Sequence, residues 1–262
     1  SLCGTVKSGK EFTMRPVVKL TPGTYTMPDG SSIVVRNSYT DYHDAKPALV
    51  YNLGLFCSYC EEAYHQARDL HVEHVQPKGY EENGVKIYAR LEKEWSNFLL
   101  SCATCNGADN KDTKNVVLSE CHLPHLNNTY KSLVYKEGGV VEVNPVLTGD
   151  AYHHAKMLLD LIGLGKSPAT SCPGDTRYKK RSRDWDLACK YRARYDAGEI
   201  SPDVIVDLVQ NRGGWSIWFT VFSGCDDVRN ALLDFPGTAR QCFDAANHYE
   251  PLDRNPGFAD PT

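Results

Sequence analysis

The sequence predicts an α+β chain, with a cysteine-stapled core of short strands in the first half and a mostly helical second half. Two observations carry this expectation. A pair of cysteine knuckles, Cys57-x2-Cys60 and Cys102-x2-Cys105, encloses the segment Leu70-His71-Val72-Glu73-His74-Val75 and the triplet Trp95-Ser96-Asn97. Beyond Gly149 the pattern changes: Ala151, Ala155, Leu158, Leu159 and Ile162 recur at helical spacing, and Gly163 and Gly165 supply a stop.

The elements run in chain order. Residues 1–13 differ in character from the rest of the chain, and Met14-Arg15-Pro16-Val17 makes a natural start, so 1–13 is set aside as a vector-derived segment. The stretch 20–37, rich in Pro, Gly, Thr and Ser, predicts short strands and turns, and a helix through Ala45, Leu49 and Tyr51 ends near Gly54. Residues 70–75 alternate apolar and polar, the period of a strand, with His71 and Glu73 on its polar face. Two β-prone runs around Gly138-Gly139 predict a hairpin over 132–143. Residues 167–174 have the composition of a loop or linker. A helix is expected over 183–197, stopped by Gly198, and Ser201-Pro202 supplies a cap and first position for the next. The apolar run 215–222 fits a buried strand or a buried helix, 238–247 predicts one more helix, and 251–262 a loosely held tail. The expected division is therefore 14–148, holding an N-terminal helix and the stapled core at 56–111, and 149–262, mostly helical.

At 262 residues and 41% hydrophobic, the chain has material for one large domain or two modest ones. No stretch approaches the 18 or so consecutive apolar residues of a membrane span, and the N-terminus carries no apolar run suited to export. Four of the ten cysteines form metal-type pairs in a long chain, which favours a reducing cytoplasm over a secreted disulfide framework. The remaining six, Cys3, Cys121, Cys172, Cys189, Cys225 and Cys242, are expected to be small apolar residues or surface thiols. A net charge of −4 is awkward for a protein that grips nucleic acid. Local charge can replace global charge: Arg177, Lys179, Lys180, Arg181 and Arg183 cluster around Tyr178, with Arg192 and Arg194 shortly after. That run is a candidate nucleic-acid contact, or else a solvated helix face. A partner subunit could also provide the grip.

Four thiolates at two knuckle spacings fit a tetrahedral Zn2+, and such a closed site holds a fold together without an open position for chemistry. Four unrelated thiols, or an inert zinc ribbon, are the bland alternatives. Chemistry must then come from the enclosed segment. Glu73 and Asn106 offer hard oxygen ligands suited to Mg2+ or Mn2+, and His74 is a candidate base because an imidazole titrates near neutrality. His71, on the face of Glu73, could touch the same metal or a phosphate, or stand simply at the surface. Other features carry less: Cys121-His122-x2-His125 lacks a second pair, and His153 and His154 point about 100° apart on a helix.

These residues resemble the HNH nuclease family with its ββα-metal motif, over residues 56–111. The resemblance implies that His74 is the general base, that Glu73 before it binds the catalytic metal, and that Asn97 orients the base. It also implies Asn106 as the closing metal ligand and Lys111 as a nucleic-acid contact. Asn106 stands where many members have His, which favours Mg2+ or Mn2+ over a softer ion. A looser likeness rests on Met14-Arg15-Pro16-Val17, Cys57-Ser58-Tyr59-Cys60-Glu61, Leu123-Pro124-His125-Leu126-Asn127-Asn128-Thr129 and Trp215-Ser216-Ile217-Trp218-Phe219-Thr220-Val221-Phe222. Together these are similar to HNH subunits of bacterial Septu-type and retron-associated anti-phage systems. Such subunits work with an SMC-like or ABC-like ATPase in a hetero-oligomer. The expectation is a cytoplasmic, metal-dependent endonuclease acting on phage or plasmid DNA. A stand-alone restriction-like nuclease and a catalytically silent zinc-stabilised adaptor are the alternatives.

Overall fold

Three short antiparallel hairpins turn at glycines with positive φ, Gly30, Gly84 and Gly138, and among the described residues all five ladders are two-stranded. The computed structural model describes residues 13–166 and 174–254. The expected loop at 167–174 lies, apart from Gly174, outside the described residues, as does most of the expected tail. Strand β1 (Gly23–Thr26) pairs with β2 (Ser32–Val35). Helix α1 (Lys46–Leu53) carries Pro47 in its first turn, where a missing N–H costs nothing, and stops at Gly54 with φ 74°. Strand β3 (Leu70–His74) forms where alternation predicts one.

A small hairpin of β4 (Glu81–Glu82) and β5 (Val85–Lys86) precedes β6 (Phe98–Cys102), which pairs antiparallel with β3. The register sets Glu73 opposite Leu99 and His74 opposite Phe98. A single helical turn, α2 (Ala103–Asn106), comes directly after β6. The expected hairpin at 132–143 is β7 (Leu133–Lys136) with β8 (Val140–Val143). The helical half then runs α3 (Gly149–Ile162), α4 (Arg177–Asp196), α5 (Pro202–Arg212), α6 (Trp215–Val221) and α7 (Asp226–Leu232). Last comes a short ladder of β9 (Phe243–Asp244) and β10 (Glu250–Pro251). The fold is thus mixed helix and strand. Among the described residues no helix is long and apolar enough to cross a membrane.

Three sequence expectations are corrected. Helix α4 begins at Arg177, well before 183, because Arg177 and Arg181 are buried and bonded internally; with charges in those places no apolar period marks the first turns. The run 238–247 is a short 3-10 turn and a strand. Phe243 is drawn from any helix into a cluster with Tyr130, Trp215 and Phe219, at centroid distances of 5.4, 5.9 and 4.9 Å. Thr13, set aside with the leading residues, is buried, and its N–H donates to Leu133 O at 3.0 Å. The ambiguous run 215–222 is helical, and Trp215 and Phe219 stack 4.5 Å apart at the i, i+4 spacing of one helix face.

Buried side chains of 14–148 and 149–262 belong to one continuous core, which runs from Leu49, Leu70 and Leu99 to Ile162, Ala188 and Trp218. Glu61 fastens the two parts. Its carboxylate accepts from Arg15 N and Ser216 Oγ, and from Ser216 N at 2.9 Å in the first turn of α6. Gly213 must be glycine for this approach. Its φ is 76°, and a Cβ there would lie 2.1 Å from Glu61 O.

Candidate functional site

The two knuckles close on each other. Cys57 and Cys60 sit in a tight turn whose Glu61 N–H donates back to Cys57 O at 3.0 Å, while Cys102 ends β6 and Cys105 lies in α2. Their sulfurs all lie within 4.8 Å of one another, as free thiols. Cys60 Sγ and Cys102 Sγ are 3.8 Å apart. Zn–S bonds of about 2.3 Å in a tetrahedron place sulfurs about 3.8 Å apart, so the cluster is compatible with a structural zinc. The Cys105 N–H donates to Cys102 Sγ at 3.4 Å, and this starts α2.

Arg177 brings a positive charge against the cysteine cluster. Its Nη1 donates to Cys105 Sγ at 3.1 Å and to Ile162 O at 2.9 Å, while Nη2 donates to Gly163 O at 3.1 Å and Asp175 Oδ2 at 2.7 Å. Burial opposes the charge, but Asp175 and Cys105 outweigh it and push the guanidinium pKa up.

Beside the cluster, the β3 edge and α2 form one wall of an open cleft of about 430 Å3. His71, Glu73, His74 and Asn106 all line it, so the structure brings these four sequence-selected side chains to one place. The His74 ring packs edge-on against Tyr42 and Phe98, with centroids at 4.8 and 5.2 Å. His74 Nε2 lies 2.8 Å from Glu92 O. A carbonyl only accepts, so Nε2 carries the proton and Nδ1 of the neutral ring keeps its lone pair. Burial pushes the His74 pKa below the usual imidazole range; the Glu92 carbonyl opposes this, and Lys78 and Lys111 add to it.

Asn97 holds the backbone just beyond His74. Its Oδ1 accepts from Gln76 N at 2.8 Å, its Nδ2 donates to Gln76 O at 2.9 Å, and its own carbonyl accepts from Val75 N at 2.9 Å. The chain leaving β3 is therefore clamped just after His74. Glu92 O, which sets the ring tautomer, was beyond sequence reasoning because every residue carries a carbonyl. Tyr42, His43, Lys46, Arg68 and Lys78 also line the cleft, and no spacing or motif in the sequence marks them.

Lys111 does not meet solvent, and its expected nucleic-acid contact is corrected. Lys111 and Glu73 are each only 1% exposed, and Lys111 Nζ lies 2.6 Å from Glu73 Oε1 and 2.7 Å from His74 O. Tyr59 OH donates to the same Oε1 at 3.3 Å. Burial raises the Glu73 pKa against the opposing pull of Lys111 and Tyr59. Both of these contacts use Oε1.

The basic run on α4 is largely turned inward. Lys180 pairs with Asp184 at 2.7 Å, and buried Arg181 donates to Gly139 O and Leu164 O at 2.8 and 3.1 Å. Lys179 and Arg183 remain exposed. His122 is buried, with Nδ1 3.1 Å from Ser132 Oγ, and joins no metal-type cluster among the described residues. Cys121, Cys225 and Cys242 are buried free thiols, as expected of small apolar residues, whereas Cys189 is disulfide-bonded. The chain matches no protein-family model and no curated protein.

Two substitutions test this geometry. Structural zinc is worth on the order of 10 kcal/mol, comparable to the whole stability of a domain. Cys57→Ser, or chelation of the wild type, is therefore expected to unfold the chain; a variant that keeps both its circular dichroism and its zinc would refute the assignment. Lys111→Met strands a buried carboxylate and should cost about 3–5 kcal/mol in urea denaturation, against the few tenths expected of a surface lysine.

Proposed function

We propose that the chain is a metal-dependent endonuclease of the HNH kind, hydrolysing phosphodiester bonds in DNA. The observation that carries this reading is the convergence of His71, Glu73, His74 and Asn106 on one cleft, with the His74 tautomer fixed by Glu92 O. The β3–β6 ladder followed by α2 supports it, because a strand pair and a helical turn are what the ββα-metal motif requires.

In this reading His74 Nδ1 takes a proton from water, the water oxygen attacks phosphorus, and the bond to the leaving sugar oxygen breaks. Glu73 and Asn106 would hold a Mg2+ or Mn2+. The donor set fits: a carboxylate and an amide are hard oxygen ligands, Glu73 Oε2 is not used by Lys111 or Tyr59, and the cleft has room for the waters such ions retain. When bound, the ion supplies positive charge to the phosphate and leaving oxygen. Lys111 opposes the rise that burial imposes on the Glu73 pKa and, through His74 O, fixes the backbone beneath the base. Asn97 keeps the loop after β3 from drifting.

The looser likeness to anti-phage HNH subunits extends the proposal. The chain works in the cytoplasm beside an SMC-like or ABC-like ATPase, which supplies much of the DNA grip that a net charge of −4 does not. A test therefore compares cleavage with Mg2+ or Mn2+ and with EDTA, in the presence of that subunit.

His74→Ala should lower the single-turnover rate about 10²- to 10⁴-fold with folding intact. Because the His74 pKa is depressed, the base is already neutral at pH 7, and the rate should fall only as pH drops through a midpoint below about 6.5. Cleavage by the alanine variant at near wild-type rate, or an acid limb centred above that value, would remove His74 from the role.

A further inference from the structure

In an acidic chain the fate of each cation is informative, and many are already committed to internal partners. Lys111 pairs with Glu73, Arg177 with Asp175, and Lys180 and Arg212 with Asp184. Around the cleft the balance is different. Lys46 makes no ion pair among the described residues. Arg68, exposed, has only a loose contact with Asp69, at 3.9 Å, while Lys78 shares its charge with Glu92 at 3.0 Å and with the Tyr42 ring, 3.9 Å from its centroid. Lys46 opens α1 and Arg68 lies in the turn before β3, so two separate elements each bring a cation without a close ion-pair partner to the cavity that His74 also lines.

A polynucleotide carries a negative charge at every residue of its backbone, so phosphates must flank the one being cut. Cations in the same cleft that lack a close ion-pair partner suit those neighbours, because they give up little when they bind. We infer that Lys46 and Arg68 bind the DNA phosphates adjacent to the scissile one, and that this pair, rather than the α4 run, is the chain's own nucleic-acid grip. The inference rests on the endonuclease reading for its substrate but makes a claim about binding that can be tested apart from cleavage.

The experiment uses full-length chain with His74→Ala, so that nothing is cut, and a fluorescent DNA duplex titrated by anisotropy across a salt series without divalent metal. Lys46→Ala and Arg68→Ala should each weaken binding about three- to tenfold, the range between an exposed ion pair and a charge-assisted hydrogen bond. Each should also flatten the slope of log affinity against log salt by about 0.9. Lys46→Arg and Arg68→Lys should keep the slope, and Lys179→Ala with Arg183→Ala should leave it unchanged. A double variant that binds like its parent, loss of slope in the α4 variant instead, or no measurable binding by the parent at low salt would each overturn the inference. Failure of the nuclease reading looks different: no preparation cuts DNA, yet the Lys46 and Arg68 variants still shift the binding curve.

Discussion

Four sulfur atoms drawn within 4.8 Å of one another fix the backbone at the turn before β3, at the end of β6 and inside α2. Everything at the cleft depends on that constraint. With β6 held at Cys102, the ladder register places Glu73 and His74, and with α2 starting at the same residue, Asn106 emerges one helical turn later on the same side. A four-residue helix has little stability of its own, since nucleation is costly and so short a piece cannot repay it. A tetrahedral ion held by the four sulfurs would supply that stability by closing the turn from outside.

Around the cluster, long charged side chains take positions usually given to apolar ones. Arg177 faces the sulfur cluster, Lys111 sits under Glu73 and His74, and the Arg15 guanidinium donates to Pro236 O, Thr238 Oγ1 and Leu53 O. Each such group would be costly to bury alone and is tolerable because its partners are complete. Desolvation raises the Glu73 pKa and lowers that of His74, so burial favours the neutral form of both. Lys111 counters that tendency only at the carboxylate. On balance both neighbouring residues of one strand are shifted toward their neutral forms.

Much of this was legible in the sequence, and what was legible was local. Knuckle spacing announced the sulfur cluster, alternation announced β3, and glycines marked the ends of α1 and α3. The side chains that meet at the cleft were named because their chemistry and order in the chain are properties of the sequence. What escaped depended on distant partners. Nothing near Lys111 says that it pairs with Glu73, and nothing near Arg181 says that Gly139 O and Leu164 O await it. A basic run reads as a surface until the carbonyls that absorb it are known. The missed strand at Phe243 has the same origin, since Tyr130 and Phe219 overrule its local helical pattern. Cys189, expected with the other scattered cysteines to be a small apolar residue or a surface thiol, is disulfide-bonded.

Arg177 has a mechanical consequence. One guanidinium holds the sulfur cluster, the last carbonyls of α3 and the entry to α4 at once. Were a zinc ion held there and then stripped, this fixed cation would be left facing thiols that have taken up protons, with both helices attached to it. The stapled half and the helical half would therefore melt as a single cooperative unit, and force applied to α4 would be felt at the sulfurs before it reached the cleft.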